Sequence, residues 1–428
     1  MAIDIKKYYS RVRNSKFAKD VSLVFVANLT SNAINFFSFV IIAKYLTNDD
    51  FGRLAVIMAI ITGISDISNL GMNATTIRFT AIFKSKNETE KINTLLSTVF
   101  TNILVISVIV IAVFFFASGF LTELFIKNSE YTSYLMLSSF GIAVALLYSF
   151  FSAVFQGLQR FNYYMYFTIV LSVLKIALIV LILFADSFTL LNVFLIIAFT
   201  PIISILFSKI WLRDFKINPF LYKRSMIKET FGFSKWMFLW SICAIFQSRI
   251  STYLLASLTT MTQVSFYDMS RKFSNVLMFG LGSYSSVLNT RLASITERNE
   301  LLNKVKKTRY ITILISFALA ASVFLLPLGL KLFFGSKYDG AIYPLGIILI
   351  GLIFFVWTFP YNSGLYSLGK SKVFFYQALF GLGIEAGLAY LLIPNYGAIG
   401  AAISFVITYM IVMLMSIFFF RKHIKEPA

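Results

Sequence analysis

Apolar runs long enough to cross the roughly 30 Å hydrocarbon core of a bilayer recur along almost the whole chain. Runs of that length and frequency mark an all-α, polytopic membrane protein. The spacing predicts spans near 21–43, 54–77, 92–118, 134–156, 161–185, 189–208, 230–258, 263–289, 308–334, 341–366, 371–393 and 398–420. The composition agrees, with 58% hydrophobic residues and a mean hydropathy of +0.81. Basic residues such as Lys6, Lys7, Arg11 and Arg13 precede the first run, as in a signal peptide. That run is too long and has no small-residue cleavage site, so it is expected to be a retained span.

The net charge of +20 invites a nucleic-acid partner, but the basic residues follow the loops rather than gather on a soluble domain. Alternate extramembrane segments carry 28 Lys and Arg against 5 on the opposite set, Lys44, Arg53, Lys127, Lys331 and Lys337. By the positive-inside rule this predicts a cytoplasmic (inner) membrane protein with both termini in the cytoplasm. Nucleic acid is not an expected partner.

Catalysis and metal binding find little to work with. Cys243 is the sole cysteine and His423 the sole histidine, so no metal cluster and no Cys/His or Ser/His pair can be assembled. No cofactor is implied. The extramembrane segments, of which 119–133 and 331–340 are the longest outer ones, are too short for a catalytic domain. A glycosyltransferase or polymerase would need more, so transport is the expected class.

The chain repeats at about half its length. TIRFTAI (76–82) meets TRLASI (290–295) with Arg78 opposite Arg291, and GLQRFNYYMYF (157–167) meets SLGKSKVFFYQ (367–377). Six spans separate the matching pieces, an even number, so the halves share an orientation and relate by an axis along the membrane normal. The expected organisation is a cytoplasmic segment 1–20, an N-lobe 21–208, a cytoplasmic linker 209–229, a C-lobe 230–420 and a cytoplasmic tail 421–428.

Three stretches carry a family resemblance: AKYLTNDDFGRLAV after the first span, VSFYDMSRKFSNVL opening the eighth, and SLGKSKVFFYQ followed by LIPNYGAIGAAIS around the eleventh. In these the chain resembles the lipid-linked oligosaccharide (O-antigen) flippases, polysaccharide transporters of the superfamily that also holds the multidrug extruders. The resemblance implies twelve helices in two pseudo-symmetric six-helix lobes around a central cavity that opens alternately to each side. It implies a polyprenyl pyrophosphate bearing a short glycan as substrate, moved to the outer leaflet, with polysaccharide polymerases and glycosyltransferases as further partners. Such flippases often carry an acid in the seventh span, where this chain has Ser251 and Thr252.

Polar residues inside the spans are the candidate site. Asn28, Ser31, Asn32, Asn35 and Ser38 share one face of the first helix. Interhelical hydrogen bonding and a polar wall for sugar hydroxyls both account for that face. Cation extruders carry an acid in this span and this chain has none, which counts against a drug antiporter. Asp66, Lys175, Arg249 and Glu385 fall near mid-depth, while Asp268, Arg271 and Lys272 lie closer to the outer end of the eighth span. Asp268 meets Arg271 at i+3 and Lys272 at i+4, the spacing of a local ion pair. Arg78 and Lys235 lie at the cytoplasmic edge, where snorkelling to the interface accounts for them.

Lys175 and Glu385 are 210 positions apart, hence repeat-equivalent, and opposite charges so placed could form either a structural bridge or a gate. An intramembrane arginine costs roughly 2.5 to 3.5 kcal/mol on insertion scales, so Arg249 should face protein or a wet cavity. The cations Lys175, Arg249, Arg271 and Lys272 outnumber the acids Asp66, Asp268 and Glu385. That excess suits a pyrophosphate, whose oxygens guanidinium groups hold by charge-assisted hydrogen bonds. The leading expectation is therefore a flippase that uses these cations with Asn28, Asn32 and Asn35. An ion-coupled small-molecule antiporter using Asp66, Asp268 or Glu385 is the alternative.

Overall fold

A computed structural model describes residues 16–69, 71–215, 217–218, 221–223, 235–293 and 297–425. The N-terminal fifteen residues, much of the predicted linker and the last three residues of the tail lie outside this set. Among the described residues the regular structure is helical. The helices are α1 (Lys16–Tyr45), α2 (Asn48–Ser68), α3 (Met72–Ser85), α4 (Thr89–Phe125), α5 (Thr132–Gly157), α6 (Phe161–Phe184), α7 (Leu190–Phe199), α8 (Pro201–Trp211), α9 (Lys235–Leu258), α10 (Met261–Ala293), α11 (Arg298–Phe334), α12 (Ile342–Ser367) and α13 (Ser371–Lys425).

Where expectation and structure differ, the backbone gives the reason. The predicted second span is two helices, because Gly71 at φ 75° takes a left-handed turn before α3. The predicted sixth is present as one span formed by α7 and α8 together, continuous through a helical Thr200 (φ −52°, ψ −33°), with Pro201 in the first turn of α8. The last two predicted spans are the two arms of α13, divided as expected at Gly397, where φ 53° and ψ −129° break the helix.

Nine helices among the described residues are long and apolar enough to cross a membrane, the last of them holding both arms of α13. On α4 and α11 the apolar side chains stay uncovered, with Phe116 85% and Leu332 85% exposed. In water such a surface would be a liability, whereas in lipid it is the solvated face. α9 and α10 are long enough but fall outside the nine, for they carry Gln247, Arg249, Asp268, Arg271 and Lys272.

The sequence repeat extends to the element boundaries. α4 and α11 are each 37 residues long and begin 209 positions apart, while α5 and α12 are each 26 residues and begin 210 apart. The turns that follow match bond for bond. In the first, Gln159 N–H donates to Gln156 O at 2.9 Å and Arg160 N–H to Phe155 O at 2.9 Å; in the second, Gly369 donates to Tyr366 O at 3.0 Å and Lys370 to Leu365 O at 3.1 Å. Both Gln159 (φ 51°) and Gly369 (φ 68°) are left-handed, the usual way of closing a helix C-terminus.

The chain divides into two compact units. The first comprises residues 1–46, 64–120 and 130–233, and the second 47–63, 121–129 and 234–428. In the first unit α1 packs along α6 and α3 against α5. In the second, α13 packs against α9 and α12, and α10 and α11 against α12.

Candidate functional site

In the first unit the polar face of α1 divides in two. Asn28 Oδ1 accepts from the Tyr164 hydroxyl on α6 at 3.1 Å, and Ser38 Oγ donates to Ile34 O in its own helix at 2.9 Å. These two serve packing. One turn apart between them, Ser31 Oγ and Asn35 Oδ1 are buried without a hydrogen-bond partner among the described residues. Asn32 is half-buried, as is Lys175 in the middle of α6, while Asp66 is exposed in the last turn of α2.

The second unit gathers the charged groups around Glu385, which is 2% exposed on the first arm of α13. Ser251 Oγ on α9 donates to Glu385 Oε1 at 2.9 Å. One turn earlier on α9, the Gln247 amide also bonds to this carboxylate. It reaches Glu385 over Gly381, where a Cβ would stand only 3.1 Å from Gln247 Nε2. From α10 the guanidinium of Arg271 enters the same cavity, donating to Ser248 O and lying over the ring of Tyr267, 6.0 Å from its centroid. Tyr267 is fully buried and shares Ser251 as a hydrogen-bond partner. Gln247, Arg271, Glu385, Tyr267 and Tyr409 line one cavity of about 190 Å³. The donors on α9 satisfy a carboxyl group that burial would otherwise leave without partners.

The expected cations do not all converge there. Lys272 forms an ion pair with Asp268 at 2.8 Å and lies over the Phe51 ring at 5.1 Å. Arg271, the neighbour at i+3, turns to Glu385 instead. Arg249 is two residues on from Gln247, so the helix has turned it to another side. Its aliphatic stem lies 3.9 Å from the Cβ position of Gly63, a residue whose bareness admits the Tyr253 side chain. The Tyr253 hydroxyl donates to Ala59 O at 2.9 Å. Glu385 thus takes its hydrogen bonds from α9 within the second unit, and its repeat-equivalent Lys175 belongs to the first.

The polysaccharide biosynthesis protein family matches residues 17–295. The chain belongs to that family. It is 24% identical to a Shigella flexneri protein named "Putative O-antigen transporter", over 85% of this chain and 88% of that one. Its fold is shared by a multidrug resistance MATE family transporter of the MOP superfamily in an inward-facing conformation, with TM-score 0.80, 14% identity and coverage of 96% and 98%. The lipid II flippase MurJ, in an inward closed conformation, shares it at TM-score 0.73 and 16% identity, with coverage of 94% and 89%.

Within this polysaccharide biosynthesis protein, sequence reasoning missed Gln247, Tyr267 and Tyr409. Gln247 and Ser251 do stand at i and i+4 in an otherwise apolar helix, a readable signal of one polar face. The two tyrosines carried none, being ordinary aromatic residues in apolar runs. Ser251 had drawn notice only as the place where related flippases often carry an acid. Here it is the donor to an acid supplied by α13.

Proposed function

We propose that this multi-pass protein is a flippase carrying a polyprenyl-pyrophosphate-linked oligosaccharide from the cytoplasmic to the outer leaflet by alternating access. The inner membrane is its site and both termini are cytoplasmic. The observation that supports this most is the intramembrane guanidinium of Arg271, anchored on Ser248 O beside a cavity whose single acid, among the described lining residues, is Glu385. A guanidinium offers several fixed donors, and one acid neighbour leaves others for phosphate oxygens. Arg249 adds a cation on another side of α9, while in the first unit Lys175 adds a cation and Asn32 and Asn35 offer hydrogen-bonding groups to hydroxyls.

Reconstitution tests it. Vesicles bearing the protein and a labelled prenyl-pyrophosphate oligosaccharide should show glycan reaching the opposite leaflet, and Arg271→Ala should stop it at matched incorporation. Absence of lipid movement, with exchange of a hydrophobic cation against an ion gradient instead, would replace the flippase by the antiporter. The buried Glu385 favours that second reading. Sidedness has its own check: Lys422→Cys in a Cys243→Ser background should resist an impermeant thiol reagent in intact cells and react after lysis.

A further inference from the structure

The second unit holds a larger cavity of about 450 Å³ next to the one around Glu385. Gln247, Phe355 and Tyr409 belong to both, forming a shared wall. Its other walls come from the start of α9, the last turns of α12 and the first turns of α13, so it lies at the end of the unit that carries the 368–370 turn. We propose that this cavity is a sugar-binding subsite, taking the glycan residue attached to the pyrophosphate. The proposal deepens the flippase reading and rests on it.

Three features point to a sugar. The lining is uncharged among the described residues, so neither a phosphate nor a cationic drug finds a counter-charge there. It is nonetheless polar where it matters: the buried Asn362 Oδ1 has no hydrogen-bond partner among the described residues. Gln377, 4% exposed, is held in orientation by its bond to Ser416 Oγ at 3.1 Å. A buried acceptor without a donor costs about 1–3 kcal/mol, so this wall favours an occupant that brings hydroxyls over a bare prenyl chain.

The third feature is the aromatic wall. Phe355 packs edge-on against Phe359 at 4.9 Å and against Tyr409 at 5.0 Å, while Trp240 and Tyr366 stand partly exposed at the rim. Sugar rings have apolar C–H faces and a hydroxyl edge, which aromatic rings and amides match respectively. The volume falls in the range of about 300–1,000 Å³ usual for small-ligand pockets, with room for a short glycan and not a polymer. The adjacency also fits the covalent order of the substrate, since the first sugar is bonded directly to the pyrophosphate that Arg271 would hold next door.

The test compares two probes on wild type, Asn362→Leu and the rim variant Tyr366→Ala: farnesyl diphosphate, and farnesyl diphosphate bearing one hexose. Asn362→Leu should weaken the hexose-bearing probe by about tenfold and leave the sugar-free probe unchanged. Tyr366→Ala, at an exposed position that does not threaten folding, should shift the same probe in the same direction. Equal weakening of both probes, or of neither, overturns the subsite. A second arm does not depend on lipid: a free diazirine-bearing hexose should photolabel peptides within 240–247 or 355–378, with protection by unlabelled hexose. Labelling elsewhere, or none, also overturns it. Failure of wild type to bind either lipid probe would instead strike the flippase reading, with the photolabel still deciding the subsite.

Discussion

α1 and α9 occupy matching places in the repeat, ending 213 positions apart at Tyr45 and Leu258. Each packs along the helix that follows a matched turn, α1 on α6 and α9 on α13. At that offset Ser38 corresponds to Ser251, and at 210 Lys175 corresponds to Glu385. One serine returns its hydrogen bond to its own helix, whereas the other donates it across to a carboxylate. The same scaffold therefore presents a lysine in one half and a buried, solvated-by-protein glutamate in the other. The two repeat-equivalent positions share a scaffold and differ in charge, so their chemistry differs.

The strongest way to break this asymmetry is to erase the charge difference. Glu385→Lys would set a second cation beside Arg271, and Arg271→Ala would strand the carboxylate. Each should reduce transport by more than about a hundredfold, and Glu385→Lys should also lower the melting temperature, since it buries a second positive charge near Arg271. Flux in vesicles and melting in detergent read the two effects separately.

Arg249 comes next, because its counterpart at the same offset is Phe36. Arg249→Ala should abolish flipping of a pyrophosphate-linked substrate. Arg249→Lys should retain a reduced rate, since a point charge replaces the planar fork. Normal binding and flux in Arg249→Ala at matched expression would make this arginine a packing residue against the Gly63 side of the second unit.

A smaller effect is expected in the first unit. Lys175→Gln should slow flux by about tenfold, as loss of one cation near mid-depth, with little change in melting. Exchanging the two charges, Lys175→Glu with Glu385→Lys, sharpens the comparison. Because Ser251, Gln247 and Arg271 already serve Glu385, the exchange should do no better than Glu385→Lys alone. Recovery of flux would instead show that the two equivalents meet during transport.

The smallest effects divide the face of α1. Asn28→Ala loses the Tyr164 bond and should lower stability by about 1 kcal/mol with flux unchanged. Asn35→Ala removes an oxygen that makes no bond within the described residues, so it should leave melting unchanged and weaken substrate binding by a few fold.

Much of this was open to reading without a fold. Membrane-spanning apolar runs, and a half-chain offset visible in GLQR and SLGK, depend on local composition and on periodicities that a helix imposes on its own residues. The break at Gly71 is local too, though the expected span 54–77 reads straight through it; the break at Gly397 falls where the sequence already separates 371–393 from 398–420. The i, i+4 pair Asp268–Lys272 was equally accessible, since both members lie on one helix.

Partners drawn from different helices were decided only by the tertiary structure. Periodicity says which residues share a face and leaves open what that face meets. Ser251 and Glu385 are 134 positions apart, and nothing in either local stretch names the other. The bareness of Gly381 lets Gln247 approach the carboxylate, and the turn of α9 takes Arg249 away from it. Twelve expected spans and an excess of cations followed from the order of residues along the chain. The choice of Arg271 over Lys272 to face Glu385 followed from packing, because a helix directs residues 271 and 272 about 100° apart and only one of those directions meets α9 and α13.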